Sequence, residues 1–257
     1  VKGEPDTGVE MAEDLERIAM NFGGENIAAC IIEPIAGSTG TLVPPKGYLK
    51  RIRDICNKHG ILLIFDEVIT GWGRTGSAFA AQEWNVTPDI MTMAKATTNG
   101  VVPMGVVAVK EEIYDSVLDA SSAPEGTPEL FHGYTYSGIP VAVAAALAVQ
   151  DIFDKEDLIN RAKEMSPYFQ DGLHSLKDLK EVVSIRGYGM MGGIEINMKE
   201  KPGKAGYQVF KHCYDAGVNF KNTGDNLIIA PQFICEKKHI DEIIEKLRTG
   251  ISNYSKS

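Results

Sequence analysis

Residues 61–65 read ILLIF, an apolar run with no polar residue inside it. A strand with one wet face alternates polar and apolar residues, whereas an unbroken apolar strand is covered on both faces. Such strands belong to parallel sheets flanked by helices, so this run confines the chain to an α/β architecture more sharply than any other stretch. It then stops at two acids, Asp66 and Glu67. Ligands of open α/β sheets bind at the carboxyl ends of the strands, where Asp66 falls. A solvated or capping acid gives the same spelling, and so does the strand that carries the magnesium-binding Asp of P-loop ATPases. The ATPase reading needs GxxxxGK[ST] upstream, and the nearest glycine-rich stretch, AGSTGTLVPPKG, has no Gly-Lys-Ser/Thr.

The neighbouring segments repeat the α/β signal. Helical spacing over 9–22 sets Leu15, Ile18, Ala19 and Phe22 on one face, and a strand follows at 27–32. A helix at 46–59 ends at Gly60, and further strands are expected at 89–93 and 105–109. Beyond 140 come two long helices, strands at 181–186 and 193–197, a helix at 204–216, strands at 218–220 and 226–230, and a last helix at 236–254. The pattern predicts a large α/β domain over 1–150 and a smaller α+β domain over 151–257.

Charge and cysteine usage narrow the function classes. The net charge of −9 disfavours phosphodiester partners, so no nucleic-acid binding is expected. No apolar run reaches the length of a membrane helix, and no membrane association is expected. Cys30, Cys56, Cys213 and Cys235 show no CxxC spacing and predict reduced thiols and a cytoplasmic location. The five histidines form no HExxH pair, so no metal site is expected. The opening VKGEPDTGVEMAEDL is polar and has no initiator Met, which predicts that an earlier part of the protein precedes it.

Three later motifs carry chemistry. In PDIMTMAKATTNGVVPMG, Lys95 follows an apolar strand that a lysine would not extend. An amine held against apolar walls is more readily neutral, and a neutral amine condenses with carbonyls. A surface lysine at a strand end has the same spelling. In FHGYTYSGIPVAVAAALA, the hydroxyls of Thr135, Tyr136 and Ser137 precede a helix that opens near Pro140. That position suits an anion or a plain helix cap. GYGMMGG at 187–193 matches GxGxxG in form, but strands flank it on both sides, so it reads as a turn and not as a dinucleotide site.

The order of these motifs, with IIEPIAGSTGTLVPPKGYL before them, GWGRTG after the acids and TGDNLIIAP near the end, resembles the class III aminotransferases. These are pyridoxal-phosphate enzymes of fold type I, and the likeness is nearest to the ω-amino acid:pyruvate group. The resemblance implies that Lys95 forms the Schiff base with the cofactor and that Asp66 bonds its pyridine nitrogen. Val68 would lie against the ring, with Glu33 behind the site. Thr135, with Tyr134 beside it, would hold the phosphate of the other subunit's cofactor, which implies a homodimer with shared active sites. The earlier part of such an enzyme, with a Gly-Ser-rich phosphate cup and an aromatic over the ring, is not in this sequence. Ser38 replaces an acid found after IIEP in ornithine- and GABA-type relatives, and Ile69 replaces a glutamine after Asp-Glu-Val. Both point to a keto acid such as pyruvate as acceptor. Lys221 stands where the group carries a carboxylate-reading arginine, and Lys237 is a second candidate for that role. A racemase or mutase using the same lysine is the alternative implied within this fold.

Overall fold

The computed structural model describes residues 2–120, 133–199 and 201–256. After a 3₁₀ turn at Val9–Ala12 come helix α1 (Glu13–Phe22), strand β1 (Ala29–Ile32), α2 (Tyr48–His59), β2 (Leu62–Asp66) and the short α3 (Ala80–Glu83). Next are β3 (Ile90–Met93), β4 (Val106–Val109), α4 (Glu111–Asp119), α5 (Pro140–Lys155) and α6 (Leu158–His174). The hairpin β5 (Val182–Tyr188) and β6 (Met191–Ile196) follows, then α7 (Lys204–Asp215), β7 (Lys221–Thr223), β8 (Asn226–Ile229) and α8 (Lys237–Lys256).

The strands form two four-stranded sheets, ordered β1-β2-β3-β4 and β5-β6-β8-β7. In the first, β1, β2 and β3 run parallel, as the unbroken apolar run requires, and β4 closes the edge antiparallel to β3. Gly60, at φ 68°, ends α2 in the left-handed conformation expected of a glycine stop. One face of the first sheet is dry: Leu63 and Phe65 are fully buried against Ile52, Ile55 and Cys56 of α2. The register places Ile31, Ile64, Ile90 and Val109 in a row across the opposite face, and none of these is buried. Asp66 shares this uncovered face, in a row with Thr92 and Val107.

A second core lies between α6, α7, α8 and the second sheet, around Phe169, Leu173, Ile194, Val209 and Leu247. The GYGMMGG stretch is the β5–β6 turn, with Gly189 at φ 57°. A Cβ at Gly189 would collide with the Arg74 carbonyl oxygen, so the turn needs glycine both for its backbone angle and for this close approach. The four cysteines are free thiols, with Cys30 half-buried and the others buried.

Three expectations are corrected. The strand placed at 218–220 lies at Lys221–Thr223, because the Val218 N–H donates to Cys213 O at 2.9 Å and still belongs to the end of α7. On α1, Ala19 is buried, but Ile18 and Phe22 face solvent. α4 was not expected; none of its residues is buried, so it carries no core-facing pattern. Among the described residues no helix is long and apolar enough to cross a membrane, and no group of three His, Cys, Asp or Glu is placed to hold a metal.

Candidate active site

The two acids that end β2 have opposite surroundings. Asp66 is half-buried, and its Oδ1 accepts the Val68 N–H at 3.0 Å. Its Oδ2 has no partner among the described residues. Glu67 is fully buried and turned into the protein. It accepts from Thr70 Oγ1 at 2.7 Å and from the amides of Ala80 and Ala81 at 2.9 and 2.8 Å. Burial pushes its carboxyl above the usual range, and these hydrogen bonds oppose that rise. Glu67 therefore ties the loop after β2 to the start of α3, while Asp66 keeps an oxygen available.

Lys95 leaves the next strand, β3. It is exposed, adopts φ 44°, and its amine has no ion pair or hydrogen bond among the described residues. It lines a cleft of about 560 Å³ together with Val68, Ile69, Ser38 and Lys221. Clefts of this size accommodate a cofactor and a small substrate. The cleft lies between the loops of the first sheet and the second sheet, whose Met191 and Ile228 form part of its wall. Ser38 reaches it because Glu33 Oε2 accepts the Gly37 N–H at 3.0 Å and folds that loop back.

Of the other expected residues, Lys221 belongs to the cleft lining, whereas Asp66, Glu33, Tyr134, Thr135 and Lys237 do not. Glu33 acts through Gly37 and lines a separate cavity of about 470 Å³. Tyr134 and Thr135 lie on an exposed turn before α5, closed by the Ser137 N–H donating to Tyr134 O at 2.9 Å. Phe131 and His132 of the same motif lie outside the described residues. Lys221 opens β7, opposite Ile228, and its exposed side chain borders the cleft. Lys237 opens α8 with its Nζ 4.9 Å above the Tyr168 ring, away from the cleft lining.

Sequence reasoning passed over Arg74, in the GWGRTG loop. Its Nη1 donates to Met190 O at 2.9 Å and to Pro231 O at 2.7 Å, and its guanidinium lies 4.4 Å from the Phe233 ring centroid. Burial lowers its pKa to about 10, which leaves it cationic at neutral pH. Arg74 fastens the loop of the first sheet to the second sheet along one wall of the cleft. The available signal was a lone arginine among glycines directly after a strand-end acid.

Adjacent parallel strands that deliver a carboxylate and an unpaired amine, beside a cleft closed by a second sheet, define the α/β scaffold of fold type I. The chain belongs to the class III aminotransferases: the family model, Aminotransferase class-III, matches residues 2–251. It is 50% identical over 248 residues to an omega-aminotransferase of Caulobacter vibrioides, covering 96% of this chain and 56% of that protein. It is 44% identical over 243 residues to the omega-amino acid–pyruvate aminotransferase of Pseudomonas putida, covering 93% of this chain and 53% of that one. A transaminase structure from the marine bacterium Virgibacillus superposes with a TM-score of 0.88 at 34% identity, covering 98% of this chain and 59% of that chain. The chain thus spans about half the length of the curated relatives it matches.

Proposed function

We propose that this chain is the lysine-bearing part of an aminotransferase that moves an amino group from an ω-amino acid or amine to a keto acid, with pyruvate as acceptor. The observation that carries the reading is the pair of free groups on adjacent strand ends, Asp66 Oδ2 and the Lys95 amine, beside a cleft of cofactor size. Class III aminotransferases depend on pyridoxal phosphate. The donor set fits that group: a half-buried carboxylate suits a protonated ring nitrogen, and an unpaired lysine suits an aldehyde. When bound, the cofactor supplies an electron sink for the carbon that loses its proton.

The chain's own residues then have separable tasks. Asp66 would hold the ring nitrogen protonated, and Val68, fixed by its N–H on Asp66, would support one ring face. The Lys95 amine would hold the cofactor through its aldehyde carbon. When free, its Nζ would hold and move the proton removed from the donor carbon. Over both halves of the reaction the donor exchanges its amino group for oxygen, and the keto acid exchanges its oxygen for the amino group. Lys221 would meet the substrate carboxylate across the cleft, with Lys237 as the second candidate. Ser38 and Ile69 on the cleft wall place no acid there, which suits a small keto acid.

The exposed turn of Tyr134 and Thr135 supports a homodimer in which each subunit holds the phosphate of its partner's cofactor. The uncovered face of the first sheet supports a further segment of the same enzyme, because parallel sheets are covered on both faces. The division into residues 1–150 and 151–257 belongs to the same reading. All strands of the first sheet precede it, all strands of the second follow it, and α5 spans it. Assay of the full-length enzyme with a panel of amines against pyruvate and α-ketoglutarate tests the activity. The reading requires acceptor-dependent turnover with pyruvate preferred. Isomerisation of an amino acid with no acceptor would replace it with a racemase or mutase.

A further inference from the structure

Lys95 has a left-handed backbone at φ 44°, a conformation disfavoured for any residue with a side chain. Its own carbonyl does little to hold this turn, since the Thr98 N–H reaches it only at 3.4 Å. The restraint comes from either side. Thr97, which is 3% exposed, donates both its N–H and its hydroxyl to Ala94 O, each at 3.0 Å, and so closes a loop around Lys95. The Trp72 indole N–H donates to Thr97 Oγ1 at 3.0 Å. With that hydroxyl oxygen accepting from the indole, its proton is directed to Ala94.

Trp72 is itself fixed. It has φ 61°, and its ring lies 5.1 Å from Phe79 and 6.4 Å from Phe153 of α5, centroid to centroid. It belongs to the loop that leaves Asp66, so one hydrogen-bonded chain links the acid's loop to the lysine's turn. We propose that Trp72 and Thr97 are positioning residues for Lys95, a relay in which the indole orients the Thr97 hydroxyl and the hydroxyl holds the lysine turn in its reactive conformation. This rests on the assignment of Lys95 as the cofactor-binding amine.

The test uses the full-length enzyme freed of cofactor and titrated with pyridoxal phosphate. Condensation of the lysine amine with the aldehyde releases water, and borohydride then reduces the C=N bond to a stable amine. Peptide mass spectrometry reads the label at Lys95 against cofactor concentration, and the melting temperature of the cofactor-free protein is followed in parallel. Thr97→Val, which keeps the shape and removes the hydroxyl, is expected to raise the half-saturating concentration about tenfold. Thr97→Ser is expected to restore the wild-type value. Trp72→Phe should match Thr97→Val and carries the test if that variant does not fold. The double variant should be no worse than either single one, because both remove the same relay. Wild-type saturation in Thr97→Val, equal loss in Thr97→Ser, or effects that multiply in the double variant would overturn the proposal. So would losses that only follow the melting temperature, since those mark a general structural role. A wild-type enzyme that never labels at Lys95 would instead remove the lysine assignment, and the relay with it.

Discussion

Lys221 puts an ammonium on the cleft where a guanidinium would offer two parallel donors. If it reads the substrate carboxylate, Lys221→Ala should raise the pyruvate KM roughly ten- to hundredfold, the worth of a charged hydrogen bond of about 1.5–3 kcal/mol. Lys221→Arg should keep or improve binding. An unchanged KM in the alanine variant would transfer attention to Lys237, although that ammonium lies over Tyr168. At this scale the sequence was informative where a residue's position on an element carried the meaning. Asp66 and Lys95 could be singled out because a buried strand ends at one and a second apolar strand ends just before the other. The fate of Glu67 could not be read in the same way. An acid next to an acid does not reveal which carboxylate turns inward to meet Thr70, Ala80 and Ala81. The Trp72–Thr97 bond was also hidden, since it joins loops 25 positions apart whose meeting depends on the whole sheet.

The sheet that presents these residues is pinned at its far end by Asp89. This carboxylate, 9% exposed, accepts the Leu63 N–H at 2.7 Å and pairs with Arg53 of α2 and with Lys110. Burial alone would raise its pKa, but the bonds from Lys110, Leu63 and Arg53 outweigh that and hold it below the usual range. The unfolded chain therefore binds the proton more tightly than the folded one. Asp89's contribution is fully present above the unfolded carboxylate value of about 3.9 and is lost as the pH falls through its lower folded value. Asp89→Asn should cost about 2–4 kcal/mol at pH 7, since Arg53 and Lys110 lose their charge partner. The loss should shrink when urea midpoints are measured below pH 4. A cost that stays constant from pH 7 to pH 3 would contradict this account. Most helices and strands were legible because their apolar spacing reports a covered face. α4 was not, having no buried residue, and β7 was displaced because the closing turn of α7 occupies the apolar positions just before it.

For the whole molecule the outstanding physical fact is a sheet with one dry face and one bare one. Ile31 and Val107 are 63% and 65% exposed on strands whose composition calls for cover. The 257-residue chain on its own should bind a hydrophobic dye and self-associate, and a co-expressed segment matching the relatives' other half should suppress both. A monomeric chain without dye binding would show that the bare face needs no partner. The unbroken ILLIF run reads as a strand covered on both faces, but the described residues cover only the Leu63 and Phe65 face. The central claim is that Lys95 is the amine that engages the cofactor. Borohydride reduction of the cofactor-loaded, full-length enzyme, followed by peptide mapping, tests it most directly. The account predicts label on the peptide that contains Lys95, with neither label nor turnover in Lys95→Ala. Label on a different lysine, or unchanged turnover in that variant, would contradict it.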